Sequence, residues 1–381
     1  MKICLDARWI LEESSGIGHY TLNLIRHLLD EDRENQYLIL FLNEVIQRRS
    51  ASIVQILQNE RTHCRVLSQS PFSLSSQVSL PWILKQEKVD IYHSTNFMMP
   101  LALCGIKSIV TVHDLIPFLF PHFAPQSKKS RFYWVYRQMM KWIAGRADFI
   151  VVDSENSRND LMTAFRGALP KTEVVTFGID PSFLETANLG IKKRLGIEEK
   201  IILYVGRQDP YKNVLGLIEI LRQLRHEDRK MHLVIAGSED LRYPEVKEKI
   251  TSLGLRNHVT LTGYLAQAEL VSLYRESFCL VLPSLYEGFG LPVLEAYECG
   301  IPVVASRIAS IPEVAGEGAI LLDPKDTLLW VHALKKLLDD PGYYDKQVLN
   351  GREQLKKFSW KKTAVQVLGI YKRIHEGRHR T

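Results

Sequence analysis

The chain has 381 residues, 46% of them hydrophobic and 24% charged, with a formal net charge of +6. That length exceeds what one hydrophobic core usually supports, so two domains are expected, and the composition is globular and excludes an intrinsically disordered chain. The charge is mild for the length: it suits anionic ligands or anionic membrane surfaces and does not by itself argue for nucleic acid.

Lys2 to Ala7 reads as a buried first strand behind an apolar run too short for a signal peptide. Glu12 to Gly18 (EESSGIG) reads as a loop leading into an amphipathic helix with Tyr20, Leu24, Ile25 and Leu28 near one face. A glycine loop after the first strand of an α/β domain is where backbone N–H groups hold phosphates, which makes Gly16 and Gly18 candidates, although G-I-G alone equally describes a plain turn. The D-x-D string Asp30-Glu31-Asp32 falls at a helix end and not at a strand end suited to a nucleotide-bound divalent ion. The histidines are dispersed, so no metal site is expected.

Tyr37–Leu42, Val89–His93, Ser108–Val112 and Phe149–Val152 are short apolar runs alternating with helical stretches, the rhythm of a parallel sheet covered on both faces. Two of these runs end in polar residues, His93-Ser94-Thr95-Asn96 and His113-Asp114, and functional groups in open α/β sheets collect at strand carboxyl ends. From Lys128 to Arg146 (KKSRFYWVYRQMMKWIAGR) six basic residues interleave with aromatics, and no acid occurs between Asp114 and Asp148. That stretch reads either as a basic aromatic surface for anionic headgroups or as a helix that buries its aromatics and turns its charges to water; no nucleic-acid module accompanies it. Ser154 follows a strand as a helix N-cap. Thr172–Phe177 is a further strand, and Gly178-Ile179-Asp180-Pro181 is the expected linker between domains.

A strand restarts at Ile201 and runs into Gly206-Arg207-Gln208-Asp209-Pro210-Tyr211-Lys212-Asn213. Arg207 and Lys212 thus sit on the loop after the first strand of the second domain, where a doubly wound fold presents groups to phosphate; Arg grips two oxygens and Lys supplies a compact charge. His232–Ala236 and Val259–Leu265 give further strands with a turn at Gly263. Phe278–Ser306 (FCLVLPSLYEGFGLPVLEAYECGIPVVAS) is one βαβ unit: strand to Leu282, a loop holding Gly288 and Gly290, a helix from Pro292 to Cys299 ended by Gly300, and a second strand. Glu287 and Glu295 flank that loop, and an ionised carboxylate offers two acceptor oxygens to the neighbouring hydroxyls of a diol. A last helix runs from Trp360 to about Ile374. Cys4, Cys64, Cys104, Cys279 and Cys299 are odd in number, lack metal spacing and read as buried thiols in a reducing compartment. With no apolar run near the roughly 18 residues of a bilayer span, a cytoplasmic protein is expected, any membrane contact being peripheral on the inner face.

The string Glu287-Gly288-Phe289-Gly290-Leu291-Pro292 with Glu295, together with Gly206-Arg207…Lys212-Asn213, TVHDLIP around His113 and GIGHY at Gly16, resembles the retaining GT-B glycosyltransferases of group 1 and family 4, bacterial surface-polysaccharide mannosyltransferases among them. The resemblance covers both halves of the chain. It implies two Rossmann-like doubly wound domains facing each other across a cleft: residues 1–178 for the acceptor, residues 179–359 for the nucleotide-sugar donor, and a helix of residues 360–381 crossing back to the first. It implies that Arg207 and Lys212 neutralise the donor diphosphate. In the same way Glu287 contacts the transferred sugar, with Gly288, Phe289, Gly290 and Leu291 around it, and Glu295 the nucleotide ribose. Gly263, Tyr264 and Leu265 face the base, and Gly16 and Gly18 the diphosphate and acceptor. By the same resemblance His113 donates a hydrogen bond to a sugar hydroxyl, and Asp114 orients it or approaches the acceptor. Ser154, Ser157, Asp160 and Leu161 match a further string of structural role.

The implied reaction is metal-independent transfer of a hexose from a nucleotide sugar to a glycan or lipid-linked acceptor, with mannose from GDP-mannose as first choice and UDP-sugars left open. No cofactor is expected beyond that co-substrate. Negative charge grows on the departing diphosphate, and fixed cations aimed at it stabilise the transition state more than the ground state. Front-face transfer with the leaving phosphate as base is preferred to a glutamate nucleophile. A nucleotide-sugar epimerase and a non-catalytic sugar-nucleotide or membrane-surface binding protein stand as alternatives, and nucleic acid is not an expected partner.

Overall fold

The structure, a computed structural model, describes residues 1–10, 16–42, 51–103, 105–120, 133–165, 171–184, 189–238 and 242–377. The described residues divide into two compact units, the first made of 1–119, 133–178 and 359–377 and the second of 120 and 179–358.

The first unit is built on seven parallel strands, β1 (Lys2–Asp6), β2 (Gln36–Phe41), β3 (Thr62–Val66), β4 (Ile91–Ser94), β5 (Lys107–Val112), β6 (Phe149–Val152) and β7 (Thr172–Val174), in the order β3-β2-β1-β4-β5-β6-β7. Cys4 of β1 lies level with Leu38 of β2 on one side and Tyr92 of β4 on the other. The apolar runs come out as strands to within one or two residues because helices cover both faces, so nearly every position of β1, β2, β4 and β5 is buried. Strand β7 is shorter than the predicted Thr172–Phe177, although Val175 still donates to the Val152 carbonyl at 2.9 Å.

The first helix begins at Gly16, so Gly16 and Gly18 form its first turn and do not lie in a preceding loop; residues 12–15 of that predicted loop lie outside the described residues. The turn is pinned from the side: Thr21 Oγ1 donates to Thr95 Oγ1 at 2.8 Å and Thr95 Oγ1 to the Asp6 carbonyl at 2.9 Å. The helix Trp360–His375 closes the same unit. Its buried positions Trp360, Thr363, Ala364, Val367, Ile370, Tyr371 and Ile374 recur at helical spacing, and Trp360 stacks on Phe177 with ring centres 5.2 Å apart. Burying each large side chain of such a face stabilises by about 1.5–3 kcal/mol. Tyr371 reaches His93, 2.7 Å from its Nδ1, while Thr111 Oγ1 lies 3.0 Å from Nε2. Wholly buried between hydroxyls, and with the charge of His113 nearby, His93 is pulled down to about 3 and is neutral. It is a strut and not a site group.

The second unit is a six-stranded parallel sheet of β8 (Lys200–Val205), β9 (Met231–Ala236), β10 (Val259–Gly263), β11 (Cys279–Leu282), β12 (Val303–Ser306) and β13 (Ala319–Leu322), in the order β10-β9-β8-β11-β12-β13. Both sheets change direction of build-up beside their first strand, between β1 and β4 and between β8 and β11. In such a sheet the loops after the two flanking strands diverge and leave a crevice at the carboxyl ends.

Of the basic stretch, residues 128–132 lie outside the described residues; the rest is the helix Tyr133–Arg146, which buries Tyr136, Met140, Ile143 and Ala144 and leaves Trp134 and Val135 exposed. The helix therefore buries one face in the unit and turns Trp134, Val135, Lys141 and Arg146 outward. Cys4 and Cys279 are buried and Cys64 and Cys299 half-buried, all as free thiols, and Cys104 lies outside the described residues. Among the described residues no helix is long and apolar enough to cross a membrane.

Candidate active site

In the second unit the loops after β8 and β11 are tied to each other by the side chains of Lys212, Asn213 and Glu287 and by one backbone bond. Leu285 N donates to the Tyr211 carbonyl at 2.6 Å. Asn213, in the left-handed region at φ +55°, sends its Nδ2 to the carbonyls of Pro283 and Pro324, both at 3.2 Å; Asn is one of the few non-glycine residues that visits that region routinely. Lys212 Nζ donates to both oxygens of Glu287, at 2.7 and 2.8 Å. Ser284 Oγ donates to Glu287 Oε1 at 2.7 Å, and Ser310 Oγ lies 2.9 Å from the carbonyls of both Glu287 and Phe289, pinning the glycine loop. The predicted cation and the predicted sugar-binding acid are thus one largely buried pair. Burial alone pulls the Lys212 ammonium down, but the Glu287 charge outweighs it and the net shift is upward, so Lys212 stays charged.

Arg207 sits at the mouth of the same loop. Its side chain is 61% exposed and is held by buried Asp209, with Nε 2.9 Å from Oδ2 and Nη2 3.1 Å from Oδ1, while Tyr204 Oη donates to its carbonyl at 2.6 Å. Two glycines are dictated here by backbone. Gly290 caps the helix Leu291–Glu298 at φ +106°, a left-handed value a side chain would strain; the helix starts one residue before the predicted Pro292 for that reason. Gly237 follows β9 at φ +145°, where a Cβ would lie 2.3 Å from the Gly206 carbonyl oxygen.

Glu295 lies just past the first turn of that helix and not on it; Tyr274 Oη donates to its Oε2 at 2.7 Å in a buried bond, so one of the two oxygens assigned to a diol is already engaged. Burial and then the Glu295 charge raise the Tyr274 hydroxyl far above its usual range, which keeps it a donor. Gly263 ends β10 at the sheet edge, two strands from β8, and Tyr264 and Leu265 follow it. Gly263 has φ +69°, its carbonyl accepts from Gly237 N at 3.0 Å, and Tyr264 is exposed.

In the first unit both ring nitrogens of His113 have partners. Its Nε2 lies 3.0 Å from the Thr95 carbonyl, which only accepts, and its Nδ1 lies 2.5 Å from the carboxylate of buried Asp153. Both nitrogens therefore carry protons and both are spent within the unit; the ring is an imidazolium clasping β4, β5 and β6, and no ring N–H is left for a sugar hydroxyl. Burial pulls its pKa down, but Asp153 more than offsets this and the net shift is upward. Asp114 does not orient the ring either: its Oδ1 accepts from Ile116 N at 3.0 Å in a local turn. Tyr20 lies edge-on against His113 at 4.6 Å, which links the ring to the helix that opens with Gly16 and Gly18. Ser154 caps its helix by accepting from Ser157 N, and Ser157 Oγ donates to the His113 carbonyl at 3.2 Å.

Sequence reasoning missed Asp153, Asp209, Tyr274, Ser284 and Ser310. Only Asp153 and Asp209 carried a signal, an acid at or just past a strand carboxyl end; the others depend on what the fold places opposite them. Of the string at 30–32, Asp32 is engaged locally: it accepts from the backbone of Glu34 and Asn35 and from Tyr37 Oη.

Two family models match successive parts of the chain: Glycosyltransferase Family 4 over residues 14–183 and Glycosyl transferases group 1 over residues 190–354. The chain is 28% identical over 393 residues to the O-antigen chain mannosyltransferase B of Escherichia coli, covering 98% of this chain and 100% of that protein. It is 30% identical to the MMP alpha-(1->4)-mannosyltransferase of Mycolicibacterium hassiacum over 64% of this chain and 58% of the relative. Among solved structures, the sucrose-phosphate synthase of Thermosynechococcus elongatus superposes with a TM-score of 0.77 at 19% identity, covering 99% of each chain. Anabaena HepE in complex with UDP and glucose superposes at 0.74 and 20% identity, covering 98% of this chain and 99% of that one.

Proposed function

The chain belongs to the glycosyltransferases of group 1 and family 4, with the GT-B fold of two Rossmann-like units, and we propose that it moves a hexose, mannose from GDP-mannose, to a glycan or lipid-linked acceptor in surface-polysaccharide synthesis. The observation that carries this reading is the Lys212–Glu287 pair at the switch point of the second sheet, with Arg207 exposed on the same loop. A nucleotide sugar presents a diphosphate beside a neutral sugar. Arg207 and Lys212 suit the first, and Glu287, fixed by Ser284, suits hydroxyls of the second.

In this reading the two cations answer the charge that builds on the departing diphosphate and so act without a metal. Glu287 keeps Lys212 in place and contacts the sugar, and Glu295, braced by Tyr274, takes the ribose through its remaining acceptor capacity. Gly288–Leu291 shape the sugar pocket, and Gly263–Leu265 meet the base. Gly16, Gly18 and Asp114 of the first unit are the groups we assign to the diphosphate and acceptor, and the ring of His113 is engaged within its own unit. Transfer retains configuration, the leaving phosphate acting as base. The stretch Lys128–Arg146 rests on an anionic membrane surface. The mannosyltransferase names of two relatives spanning surface-glycan and other acceptors support mannose as the sugar.

The test is a donor panel with the full chain, read by mass spectrometry of released nucleoside diphosphate and of the product. Turnover of GDP-mannose above all UDP-sugars is expected. Release from UDP-sugars alone would replace the donor assignment and leave the transferase reading intact; epimerised donor without acceptor would overturn the transferase reading.

A further inference from the structure

Glu295, the acid assigned to the ribose, is 9% exposed, and the hydrogen bond its Oε2 accepts at 2.7 Å comes from Tyr274, which is wholly buried. Tyr274 lies on the helix Gln267–Glu276, which precedes β11, and Glu295 on the helix Leu291–Glu298, which follows it. The bond thus joins the two helices that flank β11 in sequence. A hydroxyl that donates to one oxygen of a carboxylate fixes the direction in which the whole group points, because turning it away gives up a charge-assisted bond. Most side-chain hydroxyls inside a protein are satisfied by backbone. Tyr297, two residues after Glu295 on the same helix, follows that rule and donates to the Ala315 carbonyl at 2.9 Å. Tyr274 departs from it and spends its proton on an acid of the candidate site.

Tyr274 is itself held in place. Phe183, also wholly buried, meets its ring edge-on with centres 5.6 Å apart. The carbonyl of Phe183 accepts from Nη2 of Arg275, the next residue along, at 2.9 Å. The same end of the helix anchors the segment that follows: Leu189 N donates to Ser272 Oγ at 2.9 Å, and Ile191 N and Lys192 N donate to the two oxygens of Glu276 at 2.9 and 3.0 Å. Ser272 Oγ in turn donates to Glu276 Oε1 at 2.6 Å. A ring fixed from both the helix and the segment packed on it brings its hydroxyl to one point, and that point is the Glu295 carboxylate. Burial and the Glu295 charge keep the hydroxyl protonated, so the bond persists across the neutral range.

We infer that Tyr274 is a positioning residue whose hydroxyl aims the Glu295 carboxylate at the ribose and so sets how strongly the site tells a ribonucleotide from its deoxy forms. The inference deepens the assignment of Glu295 made above and rests on it. A ribose hydroxyl donates to a carboxylate and a deoxy sugar cannot, so the preference for ribose measures how well the acid is aimed. A site built to bond a substrate hydroxyl rejects the analogue that lacks it, because the site's own polar group is then left unpaired. A carboxylate free to turn meets the hydroxyl in only some of its positions and loses that preference to the entropy of its own ordering.

The experiment is calorimetric titration of the full chain with GDP and UDP, each beside its 2′-deoxy and 3′-deoxy forms. For the base that binds, the parent should prefer the ribonucleotide to at least one deoxy form by about tenfold or more, the worth of a charged hydrogen bond. Tyr274→Phe should weaken the ribonucleotide by about tenfold and leave that deoxy form within about twofold, so that the preference collapses to about twofold or less. Tyr274→Phe/Glu295→Gln should bind the ribonucleotide no worse than Glu295→Gln alone, since the hydroxyl acts through the acid. Tyr297→Phe removes a buried hydroxyl bond from the same helix; it should lower unfolding stability too, yet keep the parent's preference. If Tyr274→Phe keeps or raises the preference, its hydroxyl serves the fold alone and the inference is refuted while Glu295 stays on the ribose. If the parent binds ribo and deoxy forms alike, or neither nucleotide, the ribose assignment of Glu295 falls and the inference with it.

Discussion

Replacing Lys212 by Met tests the site most sharply, because it separates a pair that holds structure from one that merely lies at a surface. The Lys212 and Glu287 side chains are 17% and 10% exposed, and one ammonium spans both carboxylate oxygens at 2.7 and 2.8 Å. Removing one member of a buried pair leaves an uncompensated charge and costs about 3 to 5 kcal/mol. Ser284 still donates to Glu287 Oε1, and the carboxylate retains some contact with water, so the lower end, roughly 3 kcal/mol, applies here. Urea unfolding should show that loss in Lys212→Met, and Lys212→Met/Glu287→Met should recover most of it by removing the stranded charge. Donor turnover should fall by roughly tenfold or more in both, the worth of a lost charged hydrogen bond to phosphate. A single variant within about 0.5 kcal/mol of the parent, as for an exposed pair, would refute the argument that the fold relies on this contact to set the glycine loop.

Arg207→Ala should separate binding from stability the other way: with its side chain mostly exposed, unfolding should move by less than about 1 kcal/mol while donor affinity, read by calorimetry, drops tenfold or more. His93 predicts acid sensitivity. Its folded pKa lies near 3, well below the value of the unfolded chain, so its contribution is intact above about pH 6.5 and stability falls by up to about 1.4 kcal/mol per unit as pH drops from there towards 3; His93→Gln should flatten that slope in pH-dependent unfolding. His113 has the opposite sign. Its pKa is raised in the fold, so the clasp with Asp153 is fully present below about pH 6.5 and is lost as pH rises through the folded value. Asp153→Asn should therefore be most destabilised relative to the parent in the acidic part of the range, and nitrogen NMR of the parent at neutral pH should show both His113 ring nitrogens protonated.

Strands buried on both faces, such as β4, β5, β8 and β11, were legible because they are uninterrupted apolar runs. Edge strands β3 and β13 went unread because their residues are only half buried and mix polar with apolar. The glycine turns, the N-cap Ser154 and the strand-end placement of Arg207, Lys212 and Glu287 also followed from local pattern, since backbone conformation is decided by a few neighbours in sequence.

Partnership was not local. Lys212 and Glu287 are 75 positions apart and His113 and Asp153 are 40 apart, and nothing within either loop states which charge will face which. Sequence alone determined the class of the fold, the loops that carry chemistry and the residue types on them. The tertiary structure decided that the cation rests on the sugar-binding acid, that a histidine expected to face substrate is instead locked as an imidazolium, and that a buried tyrosine on another helix takes one oxygen of the acid expected at a diol. The physical reason is common to all three: a side chain's charge state and exposure depend on what is packed within a few ångströms, which only the folded chain specifies.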